Sequence, residues 1–191
     1  MIHSALLFLQ DELNRYLSLK LSLNTLSLVT LGNVAFSSDA DKADTIGDKV
    51  IISLVNIEED KISKSQEFAV RKSSGVTYRN PKIHLNLYVL FSANRNDYIE
   101  AVKNISYVVQ FFQFRNVFDN ANSPDLPENV ERLICDLCTF SFEQTNQLWS
   151  VLGGKYIPSV LYKVRMVQIE EDIDEMTGAY ITRVSINENN N

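Results

Sequence analysis

The stretch KIHLNLYVLFSA, residues 82–93, is the clearest secondary-structure signal in this sequence. Apolar residues occupy every second position: Ile83, Leu85, Leu87, Val89 and Phe91. A period of two is typical of a β-strand with one buried face. Leu90 interrupts the alternation with an apolar side chain on the second face. The stretch therefore predicts a strand that is covered on both faces along part of its length.

A helix is expected directly after this strand, over residues 97–114. Asn94 or Asn96 is the expected N-cap, because a short polar side chain there accepts a backbone N–H of the first turn. Apolar residues recur at spacings of three and four, which predicts a buried stripe on one side of the helix. The stripe consists of Tyr98, Val102, Ile105, Val109 and Phe112, widened by Ala101, Val108 and Phe111.

The same kind of spacing predicts a first helix over residues 2–20. Its expected buried face carries Ile2, Leu6, Leu9, Leu13 and Tyr16. The opposite side of the helix is polar, and we expect its residues to face solvent: Asp11, Glu12, Asn14 and Arg15.

Four further strands and a third helix complete the prediction. The strands span 49–58, 130–140, 160–169 and 179–186. The helix begins with the capping box Ser141–Gln144 and ends at the glycines 153–154. Its expected apolar face carries Phe142, Leu148, Trp149 and Leu152.

Two polar segments, 33–48 and 59–81, are predicted to be long loops, the second with a weak strand or two. Loops of this length are uncommon in compact domains, so we expect them to have a function. They are our second candidate for the contact with a partner, after the C-terminal strand at 179–186.

These elements predict an α+β fold with α/β-like features, in which one mixed sheet of about five or six strands packs with about three helices. The chain has 191 residues, which is enough for one hydrophobic core. We expect a single domain over residues 1–170, followed by a C-terminal hairpin or arm and a frayed polar tail over 171–191.

The charge balance limits the partners that this chain can bind. Its net charge is -6 and its pI is about 5.0, and its basic residues are scattered. We therefore expect no nucleic-acid partner, because phosphate contacts need clustered Lys and Arg. The sequence has no apolar run of the roughly 18 residues that a membrane span needs, and no recognisable signal peptide. Synthesis and assembly in the cytoplasm are expected.

The candidate chemical motifs do not support an enzyme, a metal site or a cofactor. Cys135 and Cys138 form a C-x-x-C inside a predicted strand, where positions three apart point to opposite faces. The three aspartates within 39–44 lack the central glycine and closing glutamate of a calcium loop. Residues 153–155 lack the first glycine and the Ser or Thr of a phosphate loop. We interpret the chain as a binding or structural protein.

Two longer stretches resemble a known family. The first is YRNPKIHLNLYVLFSAN, residues 78–94. The second comprises SPDLP at 123–127, FEQTNQLWSVLG at 142–153 and PSVLYKVR at 158–165. Together they resemble the cap, or tail-terminator, family of extracellular contractile injection systems. This is the family of the N-terminal domain of the cap protein in Photorhabdus virulence cassettes and antifeeding prophages, and single-domain bacterial members resemble the chain most.

The resemblance implies a tail-terminator-like fold and a structural role. A cap of this family forms a homohexameric ring on the end of the inner tube and sheath, ends polymerisation, and links the sheath to the tube. The implied partners are the inner tube protein, the sheath protein and further copies of the chain. The implied location is a released or cell-associated injection particle.

The C-terminal strand supplies the hypothesis for partner binding. Sheath subunits of such particles join by exchanging chain ends as added strands, and a cap subunit can complete an open sheet in the same way. We expect residues 179–186, and the 160–169 strand as their pairing partner, to make this contact. The expected side chains are Tyr180, Ile181, Val184, Ile186, Lys163 and Arg165. An ordinary edge hairpin of the domain is the alternative.

Three other functions stay open on sequence alone. They are a terminator or adaptor of a phage tail or type VI-like apparatus, a monomeric regulatory binding module, and a small enzyme of unknown type. Ring dimensions separate the first from a cap of an injection particle, and mass in solution separates the second. An enzyme requires a pocket with converging carboxylates or a histidine.

Overall fold

The structure is a computed structural model, and it describes residues 1–21, 27–37, 46–60, 69–72, 75–78, 84–153, 155–168 and 177–178. Within these ranges lie three α-helices: α1 (Ile2–Leu21), α2 (Tyr98–Phe114) and α3 (Phe142–Val151). A short 3-10 helix spans Val34–Phe36. The three predicted helices are therefore confirmed with bounds that shift by a residue or two.

Nine strands are described, in chain order β1 (Val29–Leu31), β2 (Lys49–Glu59), β3 (Ala69–Lys72), β4 (Gly75–Tyr78), β5 (His84–Asn94), β6 (Val117–Asp119), β7 (Val130–Cys138), β8 (Ser159–Gln168) and β9 (Thr177–Gly178). Six of them form one sheet in the order β1-β2-β5-β8-β7-β6, and β3, β4 and β9 form a second sheet. In the large sheet β1 is parallel to β2, and the other neighbouring pairs are antiparallel. The predicted α+β fold with one mixed sheet and three helices is confirmed.

The first face of the large sheet is covered by α1 and α2. β5 contributes Leu87, Val89 and Phe91 to this core, and each is fully buried. Phe91 packs edge-to-face with Phe112 of α2, with 5.2 Å between the ring centroids. Aromatic pairs in this geometry add to the stabilisation that burial itself gives.

The second face is covered along part of its length by α3 and the 3-10 helix. Leu90 of β5 packs there with Trp149 of α3 and Val34 of the 3-10 helix. The interruption at Leu90 therefore predicted a strand with two buried faces correctly. Ser141 and Gln144 form the expected reciprocal capping box at the start of α3. Gly153 follows α3 with a φ of +103°, which a glycine adopts without steric cost.

Glu12 lies on the buried side of α1, so the prediction that it faces solvent is wrong. The buried arc of α1 includes Phe8, one turn before Glu12, and this widens the arc beyond the predicted stripe. The Glu12 carboxylate accepts hydrogen bonds from Arg15 at 2.7 Å and from Arg115 at 3.2 Å. Arg115 also donates to Ser123, so this cluster joins α1 to the chain that follows α2.

The N-cap of α2 is Asp97, which replaces the predicted Asn94 or Asn96. The Asp97 carboxylate accepts the Ile99 N–H at 2.9 Å. Asn94 instead donates to the carbonyl of Ile46 at 3.1 Å, because it is still part of β5.

The two segments that were predicted as long loops are described in part. The 33–48 segment contains the 3-10 helix and is otherwise described only at Asn33, Ser37 and residues 46–48. The 59–81 segment contains β3 and β4, which confirms the expected weak strands. The predicted 179–186 strand lies outside the described residues.

Candidate partner-binding surfaces

The predicted buried stripe of α2 is correct for four of its eight residues and wrong for the other four. The residues of α2 that the fold buries are Ala101, Asn104, Val108, Phe111 and Phe112. Tyr98 is 68% exposed and Val102 is 43% exposed, and Ile105 and Val109 are half-buried. The apolar arc of α2 is wider than the sheet can cover, so its outer flank faces solvent.

A similar error concerns α3. Trp149 is buried as predicted, and Leu148 and Leu152 are half-buried, but Phe142 is 97% exposed. Phe142 is the first residue of the helix and extends beyond the part of the sheet that α3 covers. It lines a cavity of about 650 Å³ together with Phe140, Trp149 and Tyr156.

Tyr156 connects the exposed flank of α2 with the α3 cavity. It is 62% exposed and packs on Trp149 with 5.5 Å between the ring centroids. It also lines a groove of about 480 Å³ along α2, with Tyr98 and Val102. We call this continuous area the Tyr156 surface, comprising Tyr98, Val102, Ile105, Val109, Phe140, Phe142, Trp149 and Tyr156. It wraps around the end of the sheet at which β8 begins.

Lys163 and Arg165, both predicted to bind a partner, lie on the second face of the sheet beyond the part that α3 covers. The register pairs Tyr88 and Asp136 with Lys163 on its two sides, which places the three side chains on one face. Arg165 is exposed and Lys163 is half-buried. We call this area the Lys163–Arg165 surface, comprising Glu58, Tyr88, Asp136, Lys163 and Arg165.

Two contacts organise the Lys163–Arg165 surface. Arg165 donates from Nε and Nη2 to one carboxylate oxygen of Asp136, at 3.0 and 2.7 Å. The Tyr88 hydroxyl donates to Glu58 at 2.9 Å, and this hydrogen bond raises the pKa of Tyr88 above its ordinary value. Both partners of the ion pair are nearly half exposed, so it contributes little stability and can rearrange when a partner binds.

The two cysteines lie on opposite faces of the sheet, as predicted. Cys135 packs in the core under α1 and α2, whereas Cys138 packs against the core on the opposite face. Burial raises the pKa of both thiols, so neither is an activated nucleophile. The described residues contain no group of three or more His, Cys, Asp and Glu side chains that is placed to hold a metal ion. No described helix is both long and apolar enough to cross a membrane.

β8 is an interior strand, which corrects one part of the strand-exchange hypothesis. It pairs with β5 on one side and with β7 on the other, so its backbone has no free edge for residues 179–186. The contribution of Lys163 and Arg165 to partner binding is therefore restricted to their side chains.

The C-terminal part of the chain meets the small sheet instead. β9 pairs antiparallel with β4, with Gly178 opposite Val76 and Thr177 opposite Thr77. β4 begins at Gly75, one residue before Val76. Only one residue of β4, Gly75, therefore lies beyond the described pairing with β9 on that side.

One edge of the large sheet is closed by side chains of α1. Asn14 accepts the backbone N–H groups of Leu28 and Val29 and donates to the Val29 carbonyl, and Gln10 accepts the N–H of Leu31. These bonds occupy groups of β1 that an added strand would need. β1 covers only Val50–Ile52 of β2, and no described strand pairs with the outer edge of β2 after that point.

The comparison with protein families decides the identity of the fold. The family model of the Pvc16 N-terminal domain matches residues 6–183. The chain belongs to this family. The predicted resemblance to the cap proteins of contractile injection systems is thereby confirmed.

Two solved structures are similar to this member of the Pvc16 N-terminal domain family. One is the sheath/tube terminator of the extracellular contractile injection system PVC in its extended state, with 15% identity and a TM-score of 0.64 over 100% of this chain and 64% of that chain. The other is the tube-terminating cap of the anti-feeding prophage, with 13% identity and a TM-score of 0.49 over 72% of this chain and 49% of that chain. The chain thus spans less than two thirds of each. The first match shows a terminator-like fold, as predicted. No curated protein sequence matches the chain significantly.

The sequence nominated Lys163 and Arg165, whose role in partner binding stays a prediction, and it did not nominate the residues of the Tyr156 surface. Lys163 and Arg165 were named because they lie in the predicted 160–169 strand, and the structure places both on one face of the sheet. The signal for the Tyr156 surface was the number of apolar residues in α2, which is larger than one buried stripe requires. Tyr180, Ile181, Val184 and Ile186 lie outside the described residues, and their role stays a prediction.

Proposed function

We propose that this chain is a non-enzymatic cap subunit that forms a six-membered ring on the end of the inner tube and sheath of a contractile injection particle. The observation that carries the proposal is the match of the Pvc16 N-terminal domain model to nearly the whole chain. The terminator-like fold agrees with it. In this role the chain ends polymerisation and links the sheath to the tube, in a particle assembled in the cytoplasm and then released or kept at the cell.

The C-terminal segment 171–191 acts as an arm in this proposal. Only one residue of β4, Gly75, lies beyond the pair of Val76 with Gly178, so a strand formed by residues 179–186 would need a different partner for its backbone groups. Tyr180, Ile181, Val184 and Ile186 provide the side chains of an added strand in the open sheet of a sheath subunit.

Lys163 and Arg165 make the second contact of the proposal. Their side chains share one face of the sheet with Asp136, and the exposed ion pair between Arg165 and Asp136 can exchange partners at low cost. Near them, the carboxamide oxygen of Asn86 is buried without a hydrogen-bond partner among the described residues. The Lys163–Arg165 surface carries both signs of charge, so it suits a partner surface of the tube or sheath protein with complementary charges.

The experiment is an assembly assay with purified tube and sheath proteins, read by negative-stain imaging and by light scattering. The full chain is expected to close tube ends with a ring of six copies and to stop further growth. A chain that stays monomeric and leaves the length and ends of the tubes unchanged contradicts the proposal and favours a monomeric binding module.

The role of the arm is tested in the same assay by deletion of residues 176–191. Loss of cap loading onto sheathed particles is expected. Deletion of residues 187–191 alone is the control, because it removes only the polar tail and leaves the apolar series intact. If the longer deletion still loads, the arm does not make the contact. A variant with serine at all four positions, Tyr180, Ile181, Val184 and Ile186, separates the effect of the side chains from the effect of chain length.

A further inference from the structure

The Tyr156 surface brings together three large aromatic side chains that the fold leaves exposed. Phe142, Tyr98 and Tyr156 are each more than half exposed, and they border two adjoining cavities of about 650 and 480 Å³. Contiguous apolar areas of this kind on a soluble chain mark a contact with another molecule. Aromatic residues around a recess are also the side chains that dominate the energy of protein interfaces.

A second exposed apolar group lies on the other flank of α2. Phe114, the last residue of the helix, is 84% exposed. With 3.6 residues per turn, its side chain leaves the helix about 150° from the mean direction of the exposed stripe. This arc of about 150° crosses the solvent-facing side of α2, and the buried side lies in the remaining arc of about 210°. Phe114 is on the same side as Phe111, whose ring lies 5.3 Å from that of Tyr16 in α1.

A recess and a protruding aromatic side chain on opposite flanks of one helix are the two halves of a head-to-tail contact. In such a contact each copy offers one surface to one neighbour and a different surface to the other. A second copy of this chain would cover the Tyr156 surface and Phe114 with a single type of interface.

We propose that the Tyr156 surface of one copy receives Phe114 of a second copy, and that this contact joins neighbouring subunits. The inference rests on the proposed ring, since it names the surfaces by which its subunits meet. The Phe114 ring enters the groove between Val102 and Tyr156, and the rim of Ser and Thr residues around the α3 cavity stays hydrated. An apolar centre with a polar rim is the usual anatomy of a protein interface.

Disulfide cross-linking tests the contact directly. Val102→Cys and Phe114→Cys are made separately and together, in a Cys138→Ser background, because Cys138 is a half-buried free thiol. The equimolar mixture of the two single variants is expected to give a cross-linked dimer under mild oxidation, and each variant alone is not. The double variant is expected to give a ladder of cross-linked multimers.

Acidic substitutions give an independent readout by light scattering. Val102→Asp and Phe114→Asp are each expected to weaken self-association by at least tenfold, and Val151→Asp serves as the control. Val151 is 86% exposed on α3 but does not line the Tyr156 surface. An equimolar mixture of Val102→Asp and Phe114→Asp is expected to form dimers that grow no further, because each dimer contains only one intact pair of surfaces.

Two results overturn the inference. A Val102→Cys variant that cross-links to itself as readily as to Phe114→Cys shows that the surface meets its own copy symmetrically. No cross-link between these positions, in the concentrated free protein or on capped tube ends, shows that the subunits meet elsewhere. Capped tubes without the cross-link leave the proposed function intact and remove only the inference, whereas the cross-link without capped tubes does the reverse.

Discussion

α1 and α2 lie side by side on the same face of the sheet and have similar apolar content, but they use it differently. The predicted stripe of α1 is buried at Leu6, Leu9 and Leu13, and half-buried at its ends. The predicted face of α2 is buried at Ala101, Val108, Phe111 and Phe112, but Tyr98 and Val102 are exposed. α2 therefore carries two apolar sides, one for the core of its own chain and one that the fold leaves exposed.

The difference shows what an apolar period can and cannot establish. Spacings of three and four identify a helix and an apolar side, but they do not identify what covers that side. In α1 the predicted stripe is buried or half-buried along its whole length. In α2 the apolar arc exceeds the width that the sheet covers, and the excess is the part that we assign to contact between copies.

One substitution in each helix tests this difference, and the first has the largest expected effect on stability. Leu13→Ala is expected to lower the free energy of unfolding by about 3 kcal/mol, because it creates a cavity at a fully buried position. Val102→Ala is expected to change it by less than about 0.5 kcal/mol, since it removes little buried surface. Urea denaturation at low protein concentration measures both values. Similar losses at the two positions would mean that the outer flank of α2 belongs to the core.

The cluster that joins the two helices gives the next largest effect. Glu12→Ala leaves Arg115 without its carboxylate in a largely buried setting, and we expect a loss of about 2–3 kcal/mol in the free energy of unfolding. Asp125→Ala is the matched control, because Asp125 is 65% exposed and pairs with the exposed Arg15. Its expected cost is below about 1 kcal/mol. Equal costs would show that burial of Glu12 does not decide the strength of its ion pairs.

Much of the fold was predictable because its signals are local. The alternation in β5, the Ser141–Gln144 box and the spacing in α1 each act within a few residues, and each was confirmed. The errors at Glu12, Tyr98 and Phe142 share a different cause. Their burial depends on which element packs beside them, and that depends on contacts between parts of the chain that are distant in sequence.

The candidate sites were predictable to a smaller extent for the same reason. Lys163 and Arg165 were placed on a strand, but sequence did not show that β8 is interior and pairs on both sides. Their ion pair with Asp136 required the register between β7 and β8. The arm at 179–186 stays a prediction, because the pattern Tyr180, Ile181, Val184 and Ile186 shows an apolar series without its partner.

Two buried serines differ in the same way, one with and one without a partner in the part of the chain that the structure describes. Their substitution is expected to change the free energy of unfolding least. Ser53 in β2 accepts the Val34 N–H at 3.1 Å and donates to the Gly32 carbonyl at 2.6 Å. Ser92 in β5 is equally buried, but its hydroxyl has no partner among the described residues. Ser53 thus satisfies its hydroxyl within the described part of the chain, whereas Ser92 does not.

Ser53→Ala is expected to lower the free energy of unfolding by about 1–2 kcal/mol, because it leaves the buried Val34 N–H without an acceptor. Ser92→Ala is expected to leave it unchanged or to raise it by up to about 1 kcal/mol, because an unpaired buried hydroxyl is costly to desolvate. Thermal and urea unfolding of the two variants measure the contrast. A clear loss of unfolding free energy in Ser92→Ala would mean that the Ser92 hydroxyl is hydrogen-bonded in solution, as the Ser53 hydroxyl is.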